Sequence, residues 1–146
     1  LVGTSRDSLE LHRKAHDAGL TTDVTVTYSH DDEKEVAESF EAVRDLDNET
    51  GGVRTVVLVP DTEMSEVEGP TTAYQDLRVV SAARLYFDDL NIRVSREDVT
   101  DKLAQTALEF GADDVGFVEE GEFDVELVIR EAGFEPVKRG RVGEGE

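Results

Sequence analysis

His30 closes a β-branched, alternating stretch, Thr22–Ser29 (TDVTVTYS), and opens a loop. In a barrel of strands and helices that is the rim where catalytic groups sit; the plainer alternative is a loop histidine that caps the next helix. His12 and His16 stand four apart within a helical segment, so both can face one ligand, as in helix-borne zinc pairs. The residue after His12 is Arg13 and not Glu, and no third ligand is suggested nearby, so no metal site is assigned. Asp113 and Asp114 could bind a cation or do acid–base work as paired carboxylates, but at the start of a strand they read as a turn. Glu119, Glu120 and Glu122 fall at the opposite end of that strand and read as a solvated acidic loop. Arg84 borders an apolar helix stripe of Val80, Ala83 and Phe87. A guanidinium there needs a partner, and Asp88, one turn on, is the candidate for a structural ion pair. The chain has no cysteine, which excludes a disulfide framework, a thiolate metal site and a cysteine nucleophile. No Ser/His/Asp triad, phosphate loop or dinucleotide fingerprint is present.

The elements that must position these groups alternate along the chain. Asp7–Ala18 reads as a helix with Leu11, Ala15 and Ala18 on its apolar face and Gly19 as its stop. After the strand Thr22–Ser29, Val36, Phe40 and Val43 mark a helix over Glu33–Leu46, ended by Gly51-Gly52. Val53–Val59 is a continuous apolar run, the mark of a strand buried on both faces. A helix is expected over Thr71–Asp89, a strand over Asn91–Ser95, and a helix through Val99, Leu103, Ala107 and Phe110, with Ser95 and Asp98 as a weak capping box. Asp114–Val118 is a short strand, Asp124–Ala132 a last helix, and Phe134–Lys138 a final extended piece. Strands alternating with helices imply parallel strands joined by crossover helices, in one domain over residues 1–139 with a disordered tail at 140–146. The fold class is therefore α/β, and four βα units make either a small open sheet or half of a (β/α)8 barrel.

Acidic residues number 35 against 15 basic, for a net charge of −20. Lys14, Lys34, Lys102 and Lys138 are the only lysines. No basic stripe is present for phosphate contacts, so nucleic acid is a poor partner. Acids lie on nearly every expected helix, which fits a surface adapted to a high-salt cytoplasm better than a single binding patch. No apolar run approaches the ~20 residues of a membrane span, and no charged-then-apolar leader opens the chain, so the protein reads as soluble and cytoplasmic.

Six stretches occur in the order of one enzyme family: LELHRKAHDAGL (Leu9–Leu20), TVTYSH (Thr25–His30), ETGG (Glu49–Gly52), DLRVVSAARLYFDDLNI (Asp76–Ile92), LAQTALEFGADD (Leu103–Asp114) and IREAGFEPVKR (Ile129–Arg139). In them the chain resembles the C-terminal half of the radical S-adenosylmethionine family that includes aminofutalosine synthase, dehypoxanthine futalosine cyclase and the deazaflavin synthase subunits. The resemblance implies half of a (β/α)8 barrel that holds an organic substrate against a 5′-deoxyadenosyl radical, in menaquinone or deazaflavin biosynthesis. It implies His30 and Tyr28 as catalytic groups and Asp61 and Arg96 as substrate contacts at the rim. It also implies S-adenosylmethionine and a 4Fe-4S cluster in the complete enzyme. The cluster motif CxxxCxxC lies in the family's N-terminal half, so this chain holds neither group alone. The partners implied are that half-barrel, or a second copy paired through open strand edges, and a small-molecule substrate. Four departures fall at strand ends: Ser29 where the family has Gly, Val56–Asp61 where it has an aromatic, proline-containing strand end, Arg96 where it has Trp, and Val115-Gly116-Phe117 where it has a Gly-Thr loop. Scaffold is retained better than site, which keeps open a non-catalytic acidic binding module.

Self-repulsion at −20 destabilises the compact state when ionic strength is low, and molar salt shortens the Debye length to about 3 Å. The melting temperature, followed by circular dichroism, is expected to rise from low to molar potassium chloride. A flat or falling response would rule out this account of the charge.

Overall fold

A computed structural model describes residues 3–29, 33–61, 73–95, 100–116 and 123–137. The order is α1 (Arg6–Asp17), β1 (Thr22–Tyr28), α2 (Glu33–Thr50), β2 (Val53–Pro60), α3 (Ala73–Tyr86), β3 (Asn91–Val94), α4 (Asp101–Glu109) and α5 (Val125–Glu131). The three strands form one parallel sheet in the order β1-β2-β3. The expected fourth strand is represented by a single parallel bridge between Arg93 and Asp114; Phe117 and Val118 lie outside the described residues. The architecture is the alternating α/β arrangement anticipated from sequence, compatible with part of a (β/α)8 barrel.

The helices start and stop for local reasons. Ser5 caps α1, its hydroxyl accepting from the Ser8 amide, and Gly19 takes a positive φ of 82° so that the Leu20 amide can reach back to the Ala15 carbonyl. Gly51, at φ 65°, ends α2 in the same left-handed conformation. Thr100, and not Ser95, caps α4 by accepting from the Leu103 amide at 3.2 Å. Asp124 caps α5. Residues 134–137 are not a strand: Gly133 turns at φ 88° and the Phe134 amide closes back on the Ile129 carbonyl, so this stretch completes the end of α5. The tail at 140–146 lies outside the described residues.

One face of the sheet packs the helices. Val24, Val26 and Tyr28 of β1, Val56 and Leu58 of β2, and Ile92 and Val94 of β3 meet Phe40, Val43 and Leu46 of α2 and Val80, Ala83 and Phe87 nearby. Phe87 is fully buried and meets Phe40 edge-on at 5.2 Å between centroids, with the Arg44 guanidinium 5.1 Å from its ring. Arg44 also pairs with Asp89, joining α2 to the turn after α3. That hydrogen bond holds the Asp89 carboxyl below the ordinary aspartate range. A second, smaller cluster of Ala104, Leu108, Val115 and Val128 lies between α4 and α5.

The helix α1 departs from expectation. Leu11 is 58% exposed and Ala18 is exposed, whereas His12 is buried and Leu9 packs on the core. Hydrogen bonds that join His12 and His16 with threonines of β1 and α2 accompany the face that turns inward. In β2, Val57 is buried while Val59 is half-buried. Among the described residues no helix is long and apolar enough to cross a membrane.

Truncating the ring where α2, α3 and the sheet meet removes the largest fully buried side chain. Phe87→Ala is expected to lower stability by about 3–5 kcal/mol, read from chemical denaturation in molar potassium chloride.

Candidate functional site

The C-terminal ends of the three strands form a rim. Tyr28 ends β1 with its ring turned toward the helices, and its hydroxyl donates to Asp76 Oδ1 of α3 at 2.7 Å. Both residues are buried. The Asp61 amide donates to the Tyr28 carbonyl at 2.7 Å, and the Ser95 amide to the Leu58 carbonyl at 3.0 Å, so the ladder runs one residue beyond β2 and β3. Tyr28, Ser29, Asp61 and Ser95 thus come together at one edge, with Asp61 half-buried. His30 and Arg96 lie outside the described residues. Sequence reasoning passed over Asp76, although a signal was present: Asp76, Val80, Ala83 and Phe87 share one helix face, and the acid at its start is the only charged group on it.

A groove of about 630 Å³ opens from this rim along the outside of the helices. Tyr28 and Ser29 close one end, Phe40 of α2 and Leu77 of α3 line it, and Tyr74, Leu85 and Phe110 stand exposed along it. Glu33 of α2 pairs with Arg78 of α3 within its lining.

The other face of the sheet is polar. Alternation places Asp23, Thr25 and Thr27 of β1, Thr55 and Val57 of β2, and Asn91 and Arg93 of β3 there. The register shifts after Thr22, which pairs with Val53 while Asp23 pairs with Thr55, leaving Arg54 as an extra residue in β2. The bulge lets Arg54 grip Asp23 with two bonds, Nε to Oδ1 at 2.9 Å and Nη2 to Oδ2 at 3.0 Å. Arg93, its side chain only 9% exposed, continues the chain of charges to Asp23 at 3.4 Å and to Asp114 at 3.0 Å. Asp114 Oδ1 in turn accepts from the Gly116 amide at 2.7 Å. Burial pushes the Asp23 carboxyl up, but the hydrogen bond from Arg54 and the charges of Arg54 and Arg93 outweigh it, and its pKa lies below the ordinary value. Beside this chain, the Thr25 hydroxyl is buried with no partner among the described residues.

The remaining candidates are structural in their geometry. Arg84 does not pair with the Asp88 carboxylate. Its guanidinium meets the Asp113 carboxylate, donates to the Gly111 carbonyl at 2.8 Å and to the Phe87 carbonyl at 3.1 Å, and reaches only the main-chain carbonyl of Asp88, at 3.5 Å. Asp113 also accepts from the Ile92 amide at 2.9 Å, so the pair fixes the turn into the bridge at Asp114. The helix α3 ends at Tyr86, before Asp88, and the turn at Gly111 brings Asp113 to the guanidinium instead. His12 and His16 share a threonine, Thr22, between them at 2.7 and 2.8 Å. Among the described residues no group of three His, Cys, Asp or Glu side chains could hold a metal ion. With no cysteine in the chain as well, the residues present do not fit a cysteine-ligated iron–sulfur cluster.

No family model matches the chain. Over 135 residues it is 33% identical to an aminodeoxyfutalosine synthase of Thermus thermophilus, a match that covers 86% of this chain and 35% of that protein. It is 33% identical over 112 residues to a 5-amino-6-(D-ribitylamino)uracil–L-tyrosine 4-hydroxyphenyl transferase of Methanococcus maripaludis, covering 70% of the chain and 31% of the relative. A protein of the same name from Methanosarcina acetivorans is 30% identical over 137 residues, covering 86% and 36%. The chain spans about a third of the length of these relatives.

The charge chain on the polar face separates a buried cation from an exposed one. Arg93→Met is expected to cost about 3–5 kcal/mol, because it removes the buried cation from two carboxylates. Arg54→Met, at a side chain 50% exposed, is expected to cost about 0.2–1 kcal/mol. Because the Asp23 pKa is lowered from 3.8, its stabilisation is full above that value and fades as pH falls below it. Urea titrations of both variants, repeated in acid, check the order and the sign.

Proposed function

We propose, from the chain's membership of the radical S-adenosylmethionine family of aminodeoxyfutalosine synthase and the 4-hydroxyphenyl transferases, that it forms the substrate-holding C-terminal half of such an enzyme. The carrying observation is one of proportion: a match over most of this chain occupies only about a third of each relative. The polar face supports the same reading. In a closed barrel that face turns inward, and a buried, unpartnered Thr25 hydroxyl is what an inward group shows when its partner belongs to the opposing strands.

In this reading the organic substrate, an intermediate of menaquinone or deazaflavin biosynthesis, sits at the rim. Asp61 contacts it, together with His30 and Arg96. Tyr28 acts differently from a group aimed at substrate: its hydroxyl donates to Asp76, so it positions the start of α3. The cluster and S-adenosylmethionine come from outside this chain. The setting is a high-salt cytoplasm, where the acidic surface stays hydrated. The second reading, a non-catalytic acidic binding module, rests on the absence of cysteine from the sequence.

Two measurements separate these readings. Reading the gene upstream of Leu1 is expected to reach CxxxCxxC, in the same frame or in a neighbouring half. A start near Leu1 with no cysteine-bearing neighbour would favour the binding module. Sedimentation of the chain alone in molar potassium chloride is expected to show association, because β1 pairs only with β2 among the described residues and offers an open edge. A clean monomer over a wide concentration range would overturn the half-barrel in favour of a closed, smaller α/β fold.

A further inference from the structure

We propose that His12, Thr22, His16 and Thr50 form a directional hydrogen-bond relay that keeps α1 seated on the sheet only while His16 is neutral. The contacts fix the order of the protons. Thr50 Oγ1 lies 2.9 Å from the Leu46 carbonyl, which can only accept, so the Thr50 hydrogen is spent there. Thr50 Oγ1 must then accept from His16 Nδ1, 2.6 Å away, as it does from the Gly52 amide at 3.2 Å. A neutral His16 with its hydrogen on Nδ1 leaves Nε2 as an acceptor, and the Thr22 hydroxyl donates to it at 2.8 Å. Thr22 has one hydrogen, so the 2.7 Å contact with His12 Nδ1 is completed by a hydrogen on His12. Both rings therefore carry a hydrogen on Nδ1, and the relay runs from His12 through Thr22, His16 and Thr50 to the main chain of α2.

Charging His16 reverses one link. Its Nε2 becomes a donor, Thr22 receives hydrogens from both rings, and the Thr22 hydrogen loses the imidazole that accepted it. The ring cannot turn away easily, because a Cβ built on Gly52 would fall 2.3 Å from His16 Cγ, so backbone and imidazole are in close contact. The charged groups facing His16 are His12 and Asp17 on α1 and Asp47 on α2; β1 presents Thr22 there and the turn before β2 presents Gly52. Burial and then His12 lower the His16 pKa from 6.5, against the opposing pull of Asp47 and Asp17. The relay's stabilisation is therefore full above 6.5 and is lost as pH falls toward the lower folded value. Leu9 packs on the core and Arg13 pairs with Glu49 of α2 at 3.0 Å through half-exposed side chains, so the histidine seam is the part of the α1 seat that lies away from solvent.

The chain labelled with nitrogen-15, in molar potassium chloride, tests the relay directly. Long-range imidazole spectra at mildly alkaline pH are expected to show His12 and His16 both with hydrogen on Nδ1, the minority form for free histidine. A hydrogen on Nε2 alone in either ring would overturn the proposal. His16 followed by pH titration is expected to titrate below 6.5, to move up toward that value in Thr22→Val, and to stay low in Thr22→Ser. Amide exchange in α1 is expected to accelerate relative to β2 as His16 takes up its proton. A titration unchanged by Thr22→Val, or exchange in α1 that does not track it, would also overturn the proposal. Should Thr22→Val fail to fold, the spectra of the unaltered chain decide it.

Discussion

The pairing of β1 with β2, displaced by one residue at Arg54, sets which side chains of the two strands face the helices and which face the other way. Side chains on a strand alternate, so a slip of one residue exchanges the two faces of everything beyond it. With the slip where it is, Val24, Val26 and Tyr28 line up with Val56, Leu58 and Pro60 on the helix side. Asp23 falls instead opposite Thr55, within reach of Arg54 and Arg93. The same register sets Thr22 beside Val53, directly after Gly52, which is where His16 needs a hydroxyl. One backbone irregularity therefore serves the apolar core, the charge chain and the seat of α1.

Periodicity made the strands and the inner helices legible, because burial of valine and phenylalanine at fixed spacing leaves few alternatives. The failures have a common cause in polar groups. For α1 the apolar residues Leu11 and Ala18 pointed to one face, and the face that carries the hydrogen bonds of His12 and His16 turns inward instead. Asp88 was the nearest acid to Arg84 along the helix, yet the turn at Gly111 delivers Asp113 from a later segment. The capping of α4 by Thr100 instead of Ser95 is the same kind of event, a hydroxyl meeting an amide that spacing alone did not single out. At the rim, the resemblance named Tyr28, and the bond its hydroxyl makes to Asp76 joins two residues that spacing alone did not pair.

The distribution of arginine explains how so acidic a chain keeps its elements together. Arg44, Arg84 and Arg93 each join segments distant in sequence: α2 to the turn after α3, α3 to the turn before Asp114, and β3 to both β1 and Asp114. A guanidinium addresses a carboxylate and carbonyl oxygens at once through a planar fork of five donors, where a lysine offers three donors from a single point. These three arginines are thus placed at seams between elements.

The helix α4 belongs to two cores, with Ala107 in the main cluster and Ala104 and Leu108 in the smaller one shared with α5. That division has a mechanical meaning. Among the described residues α5 packs on α4, and Asp113 and Asp114 tie the segment after α4 to Arg84 and Arg93. Proteins open in cooperative blocks bounded by such thin connections. By that rule α4 and α5, which share the smaller cluster, would open together ahead of the three-stranded sheet.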